Sequence, residues 1–207
     1  MLVSPLAFSA GPPFSGPEDV KFAKTLWVTL NEYKLVGPNS FQGMPYKTPP
    51  PHGHFVEAID GTINVNGRED IVIVKKNFGK SGDETRQQIA DNPAEYMTSI
   101  TVMFKREDGY DADNKNWFWA KYYPDGSLFK NPKGMQLAGR VAKGSPKACI
   151  GCHIAAPGGD YVYIHDRYTE WNIDKLLESR MIRAVTTVPV ENYSRYVPTT
   201  YRSTPKL

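Results

Sequence analysis

The chain is poor in several things, and each shortage narrows its class. Only two cysteines occur in 207 residues, Cys149 and Cys152, so a zinc site has no further thiolates to draw on. Charge is nearly balanced, with 25 basic residues against 22 acidic ones. A nucleic-acid binder normally carries a basic excess gathered on one face, and none is present. No apolar run reaches the roughly 18 residues a membrane-spanning helix needs. Residues Leu2 to Ala10 are short and apolar and end in Phe8-Ser9-Ala10, like the remnant of a signal peptide, but they lack a positive n-region. A flexible mature N-terminus reads equally well. The length suits one domain with a full core.

What is present gathers in one pentapeptide, Cys149-Ile150-Gly151-Cys152-His153. Two thiols three residues apart, with a histidine directly after the second, form the attachment site of a c-type haem. Cys149 and Cys152 would bond the two vinyl groups, and His153 would be the axial ligand of the iron. A redox dithiol of the thioredoxin type sits near an N-terminal strand-to-helix junction, whereas this pair lies far down the chain. Thioether attachment takes place outside the bacterial cytoplasm, so a periplasmic, exported protein is expected.

The chain before the motif reads as one helix and then a sheet. After a Gly/Pro/Ser-rich start, Ser15 with Glu18 three residues on resembles a capping box. Val20, Ala23, Leu26, Trp27, Leu30 and Tyr33 recur at helical spacing up to about Val36, before Gly37-Pro38. A proline-rich loop reaching Pro51 is expected to form no regular structure. A strand from Phe55 to Ile59 is expected to enter a turn at Asp60-Gly61. The strongest strand is Ile71 to Lys75, after the turn Asn66-Gly67-Arg68. Alternation puts Ile71, Ile73 and Lys75 on one face and Val72 and Val74 on the other, with Lys76 opposite Lys75 and solvated. Lys80 to Pro93 reads as a polar surface excursion. Strands follow at Met97 to Phe104 and Trp117 to Tyr123, then the turn Pro124-Asp125-Gly126-Ser127. Short turns between them predict an antiparallel sheet. Beyond the motif come a strand-like Tyr161-Val162-Tyr163, a helix from about Thr169 to Arg183, and a tail rich in proline and tyrosine. The expected organisation is a flexible segment over 1–17, a haem domain over 18–184 and an extended tail over 185–207.

Small electron-transfer cytochromes are helical, carry the motif near the N-terminus and supply a methionine downstream. Here the motif comes late, behind a sheet, and Met181 falls inside the last expected helix. The segment from Gly53 to Tyr163 instead resembles the family of cytochrome P460 and cytochrome c′-beta. The resemblance rests on Ile71-Val72-Ile73-Val74-Lys75-Lys76-Asn77-Phe78, on Thr101-Val102-Met103-Phe104-Lys105 with Gly109-Tyr110-Asp111, and on Trp117-Phe118-Trp119-Ala120-Lys121-Tyr122 with Pro124-Asp125-Gly126. The haem motif with Asp160-Tyr161-Val162-Tyr163 completes it, in the family's order.

The resemblance implies an α+β fold: a small antiparallel sheet with flanking helices enclosing one covalently attached haem c. It also implies a homodimer and a five-coordinate iron with His153 as its strong ligand. In cytochrome P460 a lysine at the end of the early strand is bonded to the macrocycle, and the protein oxidises hydroxylamine, passing electrons to a soluble cytochrome c. In cytochrome c′-beta that bond is absent, the distal pocket is apolar and aromatic, and nitric oxide binds. Lys75 falls at the position of the cross-linking lysine. A desolvated lysine gives up its charge readily, and a neutral amine can bond to carbon; the alternative is a strand-end lysine that snorkels to water. Phe55 falls near the place of an arginine in the enzymatic members and reads either as an aromatic cap over the haem or as a core residue. Trp117, Phe118 and Trp119 are expected to alternate between core and haem contacts, with Trp119 a haem contact. His52 and His54 sit in the proline-rich loop and are assigned to the surface or to a second layer around the site. His165 and Asp166 are expected to pack or to face solvent.

Overall fold

The computed structural model describes residues 15–48, 51–140 and 149–163. The expected N-terminal remnant, the helix near 169–183, the tail, and His165 with Asp166 lie outside these residues. Helix α1 spans Pro17–Glu32. Strands β1 (Tyr46–Lys47), β2 (Phe55–Val65) and β3 (Arg68–Phe78) follow. Short helices α2 (Arg86–Asp91) and α3 (Pro93–Tyr96) lead into β4 (Met97–Lys105). Then come β5 (Trp117–Tyr122), β6 (Ala138–Gly139) and α4 (Cys149–His153). The six strands form one antiparallel sheet in chain order, so the α+β expectation holds.

The β2–β3 hairpin is longer than the sequence suggests. Asn66 and Gly67 both take positive φ, 55° and 83°, which is what a two-residue hairpin turn requires. Eleven residue pairs then run back from that turn, so Asp60-Gly61 lies inside β2 instead of ending it, with Gly61 opposite Val72. Helix α1 also differs at both ends. Gly16 is its N-cap and makes no side-chain cap. Ser15 serves another purpose: its amide donates to the Ala138 carbonyl at 2.9 Å, and its hydroxyl oxygen accepts from the Gln136 amide at 3.0 Å. These bonds tie the helix start to the edge strand. At the far end the helix stops at Glu32, and Lys34 takes a left-handed φ of 55°.

One sheet face carries the main core. Ala23, Leu26 and Leu30 of α1 pack against Val72 and Val74 of β3, Val102 and Phe104 of β4, and Phe118 and Ala120 of β5. Leu26 and Leu30 are fully buried, each contributing roughly 1.5–3 kcal/mol relative to exposure. The Tyr122 hydroxyl, buried with them, donates to the Ala23 carbonyl at 2.9 Å. Trp27 of α1 lies over the turn after β5. A Cβ on Gly126 would come within 2.3 Å of the Trp27 ring, so glycine is needed there as well as for its φ of 88°.

The polar excursion after β3 holds a helix that composition alone does not reveal. Thr85 and Gln88 form a reciprocal capping box at the start of α2, which seats Ile89 against Phe55 and Phe78. Tyr161–Tyr163 is not a strand: Tyr161 has a φ of 71° and the segment is irregular.

Candidate haem site

The site lies on the sheet face away from α1. Alternation places Ile71, Ile73 and Lys75 of β3 there. Register places Thr101 beside Lys75, and Lys121 beside Thr101, so the three side chains form a row across three strands. A second apolar cluster covers this face, made of Ile73, Met103, Trp117 and Trp119 with Ile150, Tyr161 and Val162 from the motif segment. Phe118 points the other way, into the α1 core, so the three aromatics alternate between the two sheet faces.

Helix α4 carries the motif in little more than one turn. Cys149 and Cys152 stand three residues apart, both as free thiols with exposed surface. His153, by contrast, is only 5% exposed. Its Nδ1 lies 2.6 Å from the Tyr161 carbonyl oxygen. A carbonyl can only accept, so Nδ1 carries the proton and Nε2 keeps its lone pair for a metal. Burial pushes the imidazole down to about 4, against the Tyr161 bond and with help from Lys75, so the ring is neutral as an iron ligand must be.

The 160–163 segment is held so that this carbonyl stays in place. The Trp117 indole donates to the Asp160 carbonyl at 2.8 Å, and the Val162 amide donates to the Asp160 carboxylate at 3.0 Å. The Tyr163 hydroxyl donates to the Cys152 carbonyl at 2.6 Å. Trp119 and Tyr163 then close on the His153 ring, with centroids 4.9 and 5.5 Å away and both edge to face.

The candidate residues divide cleanly. Cys149, Cys152, His153, Trp119 and Lys75 belong to one region; Lys75 lies near enough to lower the proton affinity of both His153 and His52. Phe55 belongs elsewhere. It packs with Phe78 and Ile89 under α2, in the core position that was its other reading. Lys76 is the main reversal. It has no exposed surface, and its ammonium donates to Glu57 at 2.9 Å and to the Phe41 carbonyl. Burial lowers its proton affinity, and Glu57 across the hairpin opposes that shift.

His52 lies beside the motif histidine, as its reading in a second layer around the site expects. Its ring centroid is 6.0 Å from that of His153, and its Nδ1 is 3.5 Å from Thr101 Oγ1. Burial, then Lys75 and His153, push this imidazole down to about 3. The only signal in the sequence is Gly53 between the two histidines. Its φ is 92°, and a Cβ there would fall 2.5 Å from the Phe78 carbonyl oxygen. The chain turns at that point, so His52 and His54 part company, His54 packing beside Gly79 and Gly82.

A family model for cytochrome P460 matches residues 62–164. That span is a cytochrome P460 domain. It takes in the last four residues of β2, all of β3 to β6 and the motif helix, and the family implies a haem cofactor. No curated protein and no solved structure compared with the chain matches it. The structure offers an independent test of whether a haem fits. Among the described residues, two buried side-chain polar atoms have no hydrogen-bond partner, Trp119 Nε1 and Asn77 Oδ1. Trp119 borders His153 and Asn77 acts on His52, so both fall in this region. A buried polar atom left unpaired costs about 1–3 kcal/mol, and two together mark a place completed by something other than protein. The residues fit the group. No helix among the described residues is long and apolar enough to cross a membrane.

Proposed function

We propose that this chain is an exported, periplasmic haem c protein that oxidises hydroxylamine or a related small nitrogen species. One haem is held through Cys149 and Cys152, with His153 as its axial ligand. The observation that carries this reading is the commitment of His153 Nδ1 to a backbone carbonyl, which leaves one nitrogen for iron beside two free thiols. The haem would supply an open coordination position and the capacity to pass electrons singly to a soluble cytochrome c.

The chain's own groups bind and exclude. Trp119, Tyr163, Ile150 and Val162 keep bulk water from the His153 ring. Lys75 lies on this face, and its neutral amine is our candidate for a bond to a ring carbon of the macrocycle, a step that would replace a C–H bond and pass two electrons and two protons to an oxidant outside the chain. The polar row of Lys75, Thr101 and Lys121, with His52 and Asn77 beside it, favours chemistry that moves protons over nitric oxide storage at an apolar wall. A homodimer belongs to the same reading.

Intact mass and the reduced absorption spectrum test the attachment together. Two thioethers plus a lysine bond should show a haem mass adjusted for three bonds and a displaced reduced Soret band. An ordinary Soret band with two thioethers would remove Lys75 from the mechanism. Hydroxylamine-dependent reduction of an artificial acceptor, at a rate above free haem, then tests catalysis. No turnover together with tight nitric oxide binding would make the protein a gas binder.

A further inference from the structure

The carbonyl that meets His153 belongs to a residue in an uncommon backbone state. Tyr161 has a φ of 71°, a region that side chains other than glycine rarely enter. Such a residue is strained and stays in place only where its surroundings fix it. Several contacts do so here. The Trp117 indole on β5 donates to the Asp160 carbonyl at 2.8 Å, on the upstream side of Tyr161. The Tyr161 hydroxyl donates to the Asp113 carbonyl over a longer 3.4 Å, and its ring is buried with Ile73, Trp117 and Ile150.

The third contact acts on the functional carbonyl itself. The Val162 amide donates to the Asp160 carboxylate at 3.0 Å, and that amide belongs to the same peptide group as the Tyr161 carbonyl. A peptide group is planar and trans, so its N–H and C=O point in opposite directions. One end therefore faces Asp160 while the other, 2.6 Å away, faces His153 Nδ1. Hydrogen bonds in such a chain polarise one another, and a charged acceptor at one end strengthens the next bond. Lys105, whose ammonium lies 5.1 Å from the Trp117 ring centre, attracts the same carboxylate from the β4 side.

We propose that Asp160 is a positioning residue for the haem's histidine, acting through the Tyr161–Val162 peptide to strengthen the His153 Nδ1–H bond and so favour the ferric iron. A carboxylate that acts on a ligating histidine makes the ligand more basic, and here it does so across one peptide group. The inference rests on the reading of His153 as axial ligand and names what tunes it.

Two readouts on the holoprotein need no turnover: the iron–histidine stretching frequency of the ferrous form and the reduction potential. Asp160→Ala should lower the stretch. It should also shift the oxidised-to-reduced ratio at a fixed potential about two- to tenfold toward ferrous, the worth of one hydrogen bond, or up to about 59 mV. Asp160→Asn has the same shape and guards against a variant that merely misfolds. It keeps an oxygen for Val162 but polarises the peptide less, so it should show part of the same shift. Trp117→Phe leaves the carboxylate in place, frees the Asp160 carbonyl and should move both readouts the same way by less. A stretch unmoved in the alanine and asparagine variants would overturn the inference and leave the haem reading intact. A potential that rises equally in both, again with the stretch unmoved, would also overturn it, being the mark of a charge acting through space. Wild-type protein that carries no covalent haem would bring down the attachment reading, and the tuning with it.

Discussion

The two faces of this sheet are built on different terms, and β3 shows it within two residues. Lys76 points toward the α1 face and Lys75 away from it. On the α1 face the core is made of the chain's own apolar side chains, and the buried Lys76 is paired inside, with Glu57 and a carbonyl. On the other face a row of polar side chains crosses three strands, and nearby indole and amide atoms are left without partners. A face complete in itself holds the fold. A face with polar atoms left over is the one on which we place the cofactor.

The largest break in that comparison comes from the motif. Replacing Cys149 and Cys152 together with serine should abolish covalent haem, seen as loss of the haem mass from the denatured chain. Far-UV circular dichroism should stay close to that of the parent, because α1 and the sheet do not depend on the thiols. A collapse of the β signal would mean that the two faces are not separable.

Next in size is the buried ion pair. Lys76→Met leaves the Glu57 carboxylate without its cation and the Phe41 carbonyl without its donor, and should cost about 3–5 kcal/mol in urea unfolding. Adding Glu57→Leu should recover most of that loss, since two apolar residues of similar volume are often as stable as a buried pair. The contrast with Lys75→Met is the sharper measurement. That change should move the haem spectrum and leave the unfolding midpoint nearly in place. If both lysines behave alike in unfolding, the faces differ less than their contacts indicate.

How much of this was legible in the chain follows from what each signal encodes. Helix α1 and strands β3 to β5 could be read because their patterns are local: apolar residues three and four apart, then β-branched and aromatic runs between turn residues. Alternation placed Lys75 correctly with Ile71 and Ile73, and it put Lys76 with Val72 and Val74. It could not say what lies across the hairpin. Glu57 meets Lys76 only because the turn at Asn66-Gly67 sets the register, and the apparent turn at Asp60-Gly61 hides that. The motif stands out because its pattern is local, two thiols and a histidine within five residues. Which of their two readings His52 and Phe55 take was not legible, since their sides are decided by the turn at Gly53 and by the arrival of α2, and neither is periodic.

A smaller effect tests how well the α1 face is closed. Tyr122 is fully buried, and its hydroxyl meets the Ala23 carbonyl inside the helix. Tyr122→Phe removes one neutral bond and leaves a carbonyl that the helix still pairs, so about 0.5–1.5 kcal/mol should be lost. Haem attachment and the iron–histidine stretch should not move. A shift in either would show that packing under the sheet reaches through it.

The smallest expected effect lies at the rim of the same face, where Asp19 in the first turn of α1 accepts from the Tyr110 hydroxyl at 2.8 Å. Burial raises this carboxyl above its ordinary 3.8, with Glu18 adding to the shift, while Tyr110, Arg140 and Arg106 oppose it. A carboxyl whose folded value is raised holds its proton in the folded chain after the unfolded chain has released it. Its contribution is therefore greatest below 3.8 and falls as pH rises through the folded value. Asp19→Asn keeps an oxygen for Tyr110 but cannot ionise. The stability of the variant minus that of wild type, followed by urea midpoint, should climb with pH over this acidic window and then level. A difference that stays flat would mean that solvent reaches Asp19 freely, and that the α1 face is closed by its apolar centre without help from the rim.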